Sequence, residues 1–170
     1  MESTQTRPEP LTDPWHAAGI EPDWLRVILA LADLLEDGPI LLYDGNCGVC
    51  SQAVQWVLAH ERSHSLRFAA LESAVGSELR RSAGVPADVD SMLWTEWRDG
   101  RVHADIRSSA LLRVLDYIGG PWRWLTALRV VPAFLRDAGY RTLAKWRYRL
   151  RAPSCLVPSA HERVRFLGLR

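Results

Sequence analysis

Ile40-Leu41-Leu42-Tyr43-Asp44-Gly45-Asn46-Cys47-Gly48-Val49-Cys50 is the stretch on which the fold turns. Its first four residues form a short continuous apolar run, the pattern of a strand buried on both faces. Asp44-Gly45-Asn46 breaks that run. From Cys50 to His60 the apolar residues Ala53, Val54, Val57 and Leu58 share one face, which predicts a helix. Leu66, Phe68 and Ala70 then alternate with Arg67 and Ala69, which predicts a second strand. Strand, helix, strand in that order predicts a right-handed parallel crossover. Cys47 and Cys50 stand where the first strand hands over to the first helix.

Further along, Gly76 to Ala83 reads as a weaker helix closed by Gly84 and Pro86. Met92 to Trp97 is rich in strand formers. Arg98-Asp99-Gly100-Arg101 follows, and Val102, Ala104 and Ile106 alternate after it. An Asp-Gly pair between two such runs predicts a hairpin. Ser108 or Ser109 can cap the next helix, which carries the stripe Leu111, Val114, Leu115 and Ile118. Gly119-Gly120-Pro121 ends it. Upstream, Trp24, Val27, Ile28, Leu31 and Leu35 give Asp23 to Glu36 helical spacing, ended by Asp37-Gly38-Pro39. Trp122 to Arg151 is helical in pattern and cationic, with Pro132 splitting it into two helices. The expected fold is α/β, with a mixed four-stranded sheet. Its expected parts are a flexible arm at 1–22, an N-terminal helix at 23–38 and a βαβ-plus-hairpin core at 39–120. A basic helical appendage at 121–170 is expected to pack on that core.

A chain of 170 residues suits one domain. Its 48% hydrophobic and 24% charged residues exclude wholesale disorder. Three cysteines are too few for a disulfide-stapled mini-protein, and an odd count cannot pair completely within one chain. No apolar run reaches the length of a membrane span. Met1 to Pro14 lacks the basic and apolar regions of a secretory signal, so a cytoplasmic protein is expected. The net charge of +1 hides a division. Residues 1–120 carry ten arginines against eighteen carboxylates; residues 121–170 carry eleven cations against only Asp137 and Glu162. Opposite charge predicts that the two parts attract and dock.

The spacing Cys47-Gly48-Val49-Cys50 allows two sulfurs to close a small disulfide ring across one helical turn. At a helix N-terminus the free amides and the dipole favour a thiolate at Cys47. Cys50, one turn further in, is placed to resolve a mixed disulfide. A CxxC beside a βαβ pattern reads as a thioredoxin-like redox pair. Two other readings stand beside it: inert buried thiols, and half of a zinc site completed by Cys155 and His161. The zinc spacing is poor and there is no second CxxC. Asp44 is read either as a proton relay to the thiols or as a residue that caps the helix or shapes the turn, with Asn46.

Tyr43-Asp44-Gly45-Asn46-Cys47-Gly48-Val49-Cys50 resembles the DxxCxxC signature of the DCC family of predicted thiol-disulfide oxidoreductases. Leu66 to Leu71, Ser108 to Leu115, Gly120-Pro121-Trp122-Arg123 and Arg147-Tyr148-Arg149 are similar to other stretches of that family, so the likeness covers about residues 39 to 158. The resemblance implies a thioredoxin-like fold and dithiol exchange chemistry, with Asp44, Cys47 and Cys50 matching the signature. The expected enzyme is a protein-disulfide reductase or thiol-disulfide oxidoreductase, acting on a disulfide-containing protein or small thiol, with electrons from an upstream thiol reductant. No bound cofactor and no metal is expected, because the dithiol is itself the redox group. Thioredoxins keep a cis-proline before the strand that opens the hairpin. Here Asp90-Ser91 precedes Met92, and Pro86 reads as loop chemistry.

Cys155 is read as a spectator, as a third relay cysteine or as a tether to a partner. Trp56 and Trp94 read as core packing. Trp122, Trp124 and Trp146 interleave with Arg123, Arg129, Arg141, Arg147 and Arg149. These aromatics are expected to pack the C-terminal helices onto the sheet. Docking on an anionic membrane surface or on RNA is the lesser reading, and no nucleic-acid partner is expected. A non-catalytic interaction module using this basic segment remains the rival to an enzyme. His16, His60, His64, His103 and His161 form no pattern, and no phosphate loop or nucleophilic serine motif is present.

Overall fold

The computed structural model describes residues 23–89, 91–147, 159 and 161–168. The arm at 1–22, Cys155, Arg149 and the side chains of Trp146 and Arg147 lie outside the described residues.

Helix α1 (Asp23–Glu36) precedes strand β1 (Ile40–Tyr43), which is buried at all four positions. Helix α2 (Gly48–His60) and strand β2 (Arg67–Ala70) complete the crossover, with β1 and β2 parallel. Helix α3 (Ala74–Ser82) leads to strands β3 (Leu93–Arg98) and β4 (Arg101–Ile106). These two form the expected hairpin. Asp99 (φ 53°) and Gly100 (φ 73°) both take positive φ, as a two-residue turn matched to strand twist requires. Helix α4 (Arg107–Ile118) follows. A 3-10 helix (Gly120–Val130) and helix α5 (Ala133–Arg147) are separated at Pro132.

The sheet order β4-β3-β1-β2, mixed in direction, is a thioredoxin-like α/β arrangement. The sheet has five strands, however, not four. A two-residue strand β5 (Phe166–Leu167) adds parallel to β2. Two residues carry no periodicity, so nothing local announces it. Its basis is tertiary: the Phe166 ring stacks on Phe68 at 5.0 Å and meets Tyr43 edge-on at 6.4 Å.

Strand alternation sorts the core into two layers. Leu41, Tyr43, Phe68 and Trp94 meet Val54 and Val57 of α2 and Ala110, Val114 and Ile118 of α4. Ile40, Leu42, Ala69 and Leu93 meet Leu31 and Leu35 of α1 and Leu79 of α3. Two helix starts differ from expectation. The Ser73 hydroxyl accepts from the Gly76 amide at 3.0 Å and starts α3 two residues early. There Gly76 lies so close to the end of β2 that a Cβ would stand 2.1 Å from the Ala70 carbonyl oxygen. Neither Ser108 nor Ser109 caps α4, which starts at Arg107 with no side-chain cap. Ser108 instead donates from its hydroxyl to the Asp137 carboxylate of α5.

Candidate functional site

Asp44, Cys47 and Cys50 come together at the C-terminal end of β1. This is the end where parallel strands and the helix N-terminus after them converge. The turn is local in origin. The Asn46 amide donates to Asp44 Oδ1 at 2.9 Å, and the Cys47 amide donates to the Asp44 carbonyl at 3.2 Å. Asp44 therefore shapes the turn and does not cap the helix. Cys47 itself holds the N-cap position, with φ −98° and ψ 112°, and no side chain caps α2. Its carbonyl accepts from Ser51 at 3.0 Å, which starts the helical ladder.

Neither cysteine is in a disulfide; Cys47 is half-buried and Cys50 only 6% exposed. The pair thus has an accessible outer member and a sheltered inner member one helical turn away. Asp44 is half-buried beside them in the chain.

The surroundings include residues that carry no sequence signal. Glu72, just past β2, is a second carboxylate near the loop. Its Oε2 lies 3.7 Å from where a Cβ on Gly45 would stand. Burial, and secondarily the Glu72 charge, push the Tyr43 phenol above its ordinary value of 10.0. On the other side, β1 and β3 pair antiparallel with Leu42 opposite Leu93. Continuing that register by two residues sets Ser91 across from Asp44. Ser91 is 5% exposed, and its hydroxyl finds no partner among the described residues. It occupies the approach to the hairpin that a cis-proline holds in thioredoxins. Met92, next to it, packs against the same core layer as Cys47.

The opposite end of α2 is a structural clamp. The Glu61 carboxylate is fully enclosed and paired with Arg165, and it accepts from the Tyr117 hydroxyl at 3.0 Å. Tyr117 in turn accepts from the amides of Ser65 and Leu66. Arg165 Nε also donates to the Leu66 carbonyl at 2.9 Å. This network fixes β5 to the sheet, far along the helix from the thiols.

A pair of cysteines at the N-terminus of a helix, following a buried parallel strand within a thioredoxin-like sheet, is the arrangement of thioredoxin-like redox domains. The chain belongs to the DCC1-like thiol-disulfide oxidoreductase family, whose model matches residues 41–152. It is 34% identical over 131 residues to the uncharacterized protein YuxK of Bacillus subtilis, covering 75% of this chain and 93% of that one. It is 37% identical over 138 residues to a chloroplastic DCC family protein of Arabidopsis thaliana, covering 78% of this chain and 77% of that one. No solved structure matches significantly. Among the described residues no helix is long and apolar enough to cross a membrane.

Proposed function

We propose that the protein is a thiol-disulfide oxidoreductase working through Cys47 and Cys50. The observation that carries this reading is the half-buried Cys47 at the N-cap of α2 with Cys50 buried one turn inside. The Cys47 thiolate attacks one sulfur of a substrate disulfide. A mixed disulfide forms, and the first substrate sulfur leaves as a thiolate and takes up a proton. The Cys50 thiolate then attacks the Cys47 sulfur. This closes the Cys47–Cys50 disulfide and releases the second substrate thiol. The substrate gains two electrons and two protons, and the protein dithiol is oxidised. An upstream thiol reductant returns the dithiol, so no other redox group takes part.

Asp44 acts through the turn it builds and as a nearby carboxylate to accept or return the thiol protons. The Ser91 hydroxyl is a spare donor at the same end of the sheet. The substrate is a protein disulfide or a small disulfide, and the compartment proposed is the cytoplasm.

The test is turnover of a model disulfide with excess small thiol, run on wild type, Cys47→Ser and Cys50→Ser. Cys47→Ser is expected to abolish turnover. Cys50→Ser is expected to accumulate a mixed disulfide with substrate, visible as added mass. Full turnover by Cys47→Ser would overturn the assignment.

A further inference from the structure

The stretch from Gly120 to Leu135 does not do what its composition predicts. Trp122 packs, meeting Trp56 at 5.0 Å and His60 at 6.2 Å. The rest corrects the packing expectation. The 3-10 helix buries none of its eleven residues. Trp124 is 83% exposed and Val130 89% exposed, and Leu128, Phe134 and Leu135 are also open to solvent. A 3-10 run of this length is unusual, because its hydrogen bonds are poorer than those of an α-helix. A large apolar surface on such a segment calls for a covering partner.

Charge says which partner. Residues 120–147 carry six cations against Asp137 alone. That one carboxylate is turned inward onto Ser108, accepting from its amide at 3.4 Å as well as from its hydroxyl. The segment borders a polar cavity of about 300 Å³, lined by Asp105, Ser109, Leu112, Arg113, Arg129 and Arg136. Asp105 and Glu96 neutralise Arg113, at 2.8 and 3.3 Å. Among the described residues Arg129 pairs with Asp116, at 3.4 Å. Arg136 gives its Nε to the Val131 carbonyl, while its buried Nη1 finds no acceptor among the described residues. Arg129 is flanked in sequence by Leu128 and Val130, and Arg136 follows Leu135. Arg129 lines this cavity and also a second one with Arg123 and Trp124, so the arginine cavity and the exposed Trp124 adjoin on one surface.

We propose that this surface docks on an anionic lipid membrane. A headgroup phosphate is bound by Arg129 and Arg136, while Trp124, Leu128, Val130, Phe134 and Leu135 enter the interfacial layer. Aromatic and aliphatic side chains beside arginines are the composition that partitions there, by apolar burial plus attraction to anionic lipid. A two-fold dimer through this same surface would set one cationic patch against another. A soluble phosphate would leave the apolar side chains uncovered. The contact is peripheral and independent of the dithiol chemistry.

The experiment is flotation of the full chain with vesicles of phosphatidylcholine alone and of phosphatidylcholine with phosphatidylserine. Binding is expected only to the anionic vesicles, with a blue shift of tryptophan fluorescence and loss at high salt. Trp124→Ser with Val130→Ser is expected to weaken it at least about tenfold. Arg129→Gln with Arg136→Gln is expected to weaken it by roughly tenfold as well. Disulfide turnover should be unchanged in both. If the first pair of changes lowers the melting temperature, Phe134→Ser with Leu135→Gln on α5 repeats the test. Four results would each overturn the proposal. These are no flotation, equal flotation of wild type and variants, saturable inorganic phosphate or RNA binding without vesicle binding, and a dimer in place of vesicle binding that Trp124→Ser with Val130→Ser dissolves.

Discussion

Tyr43 shows how one side chain ties the site to stability. It ends β1, one residue before Asp44, and is 3% exposed. Burial and the nearby Glu72 charge both disfavour the phenolate, so the folded state holds the phenol proton more tightly than the unfolded chain. The stabilisation is fully present below the ordinary value of 10.0 and is lost as pH rises through the higher folded value. Melting temperature is therefore expected to fall above about pH 10. Tyr43→Phe should flatten that fall, and an unchanged alkaline slope in Tyr43→Phe would assign it elsewhere. Cys47, Cys50 and Asp44 were legible without any structure, because spacing and turn chemistry are local. Asp44 was open between a proton relay and a residue that caps the helix or shapes the turn, and the hydrogen bond from the Asn46 amide separates only turn from cap. Ser91 and Glu72 were not legible. Their place beside the motif comes from strand neighbours 27 or more positions away in the chain.

The elements divide in the same way. β1, α2, the hairpin and α1 follow from periodicity and from Asp-Gly or Gly-Pro punctuation within a few residues. The early start of α3 rests on the Ser73 cap, and β5 rests on ring stacking with Phe68. The clamp that holds β5 joins residues about a hundred positions apart, Glu61 and Arg165. Removing one member of an enclosed ion pair leaves the other without compensation, at about 3–5 kcal/mol. Glu61→Gln is therefore expected to lower stability by about that amount in denaturant unfolding. It should also expose the amides of β5 to hydrogen exchange first, while the dithiol at the far end of α2 keeps its reactivity. A Glu61→Gln protein as stable as wild type would show that stacking alone holds the strand.

Taken whole, the molecule joins an acidic α/β core to a basic C-terminal segment, and the described part of that segment meets the core along α4. Asp116 of α4 faces Arg123 at 3.5 Å and Arg129 at 3.4 Å. Exposed pairs of this kind contribute about 0.2–1 kcal/mol each and are screened by salt. Raising ionic strength from about 0.01 M to about 1 M shortens the screening length from about 30 Å to about 3 Å. Hydrogen exchange over residues 120–130 is expected to quicken across that range, while the β-sheet amides stay unchanged. Equal protection at both salts would show that the Trp122–Trp56 contact is sufficient. By itself the amino-acid order determined the α/β class, the crossover, the hairpin and the placement of a dithiol at a strand-to-helix junction. Each of these is written in neighbours a few residues apart. The fifth strand, the Glu61 clamp, the burial of Ser91 and the outward turn of Trp124 and Val130 were decided by the tertiary structure. Burial is a property of the assembled surface, and an apolar residue has the same spelling whether the fold covers it or leaves it open.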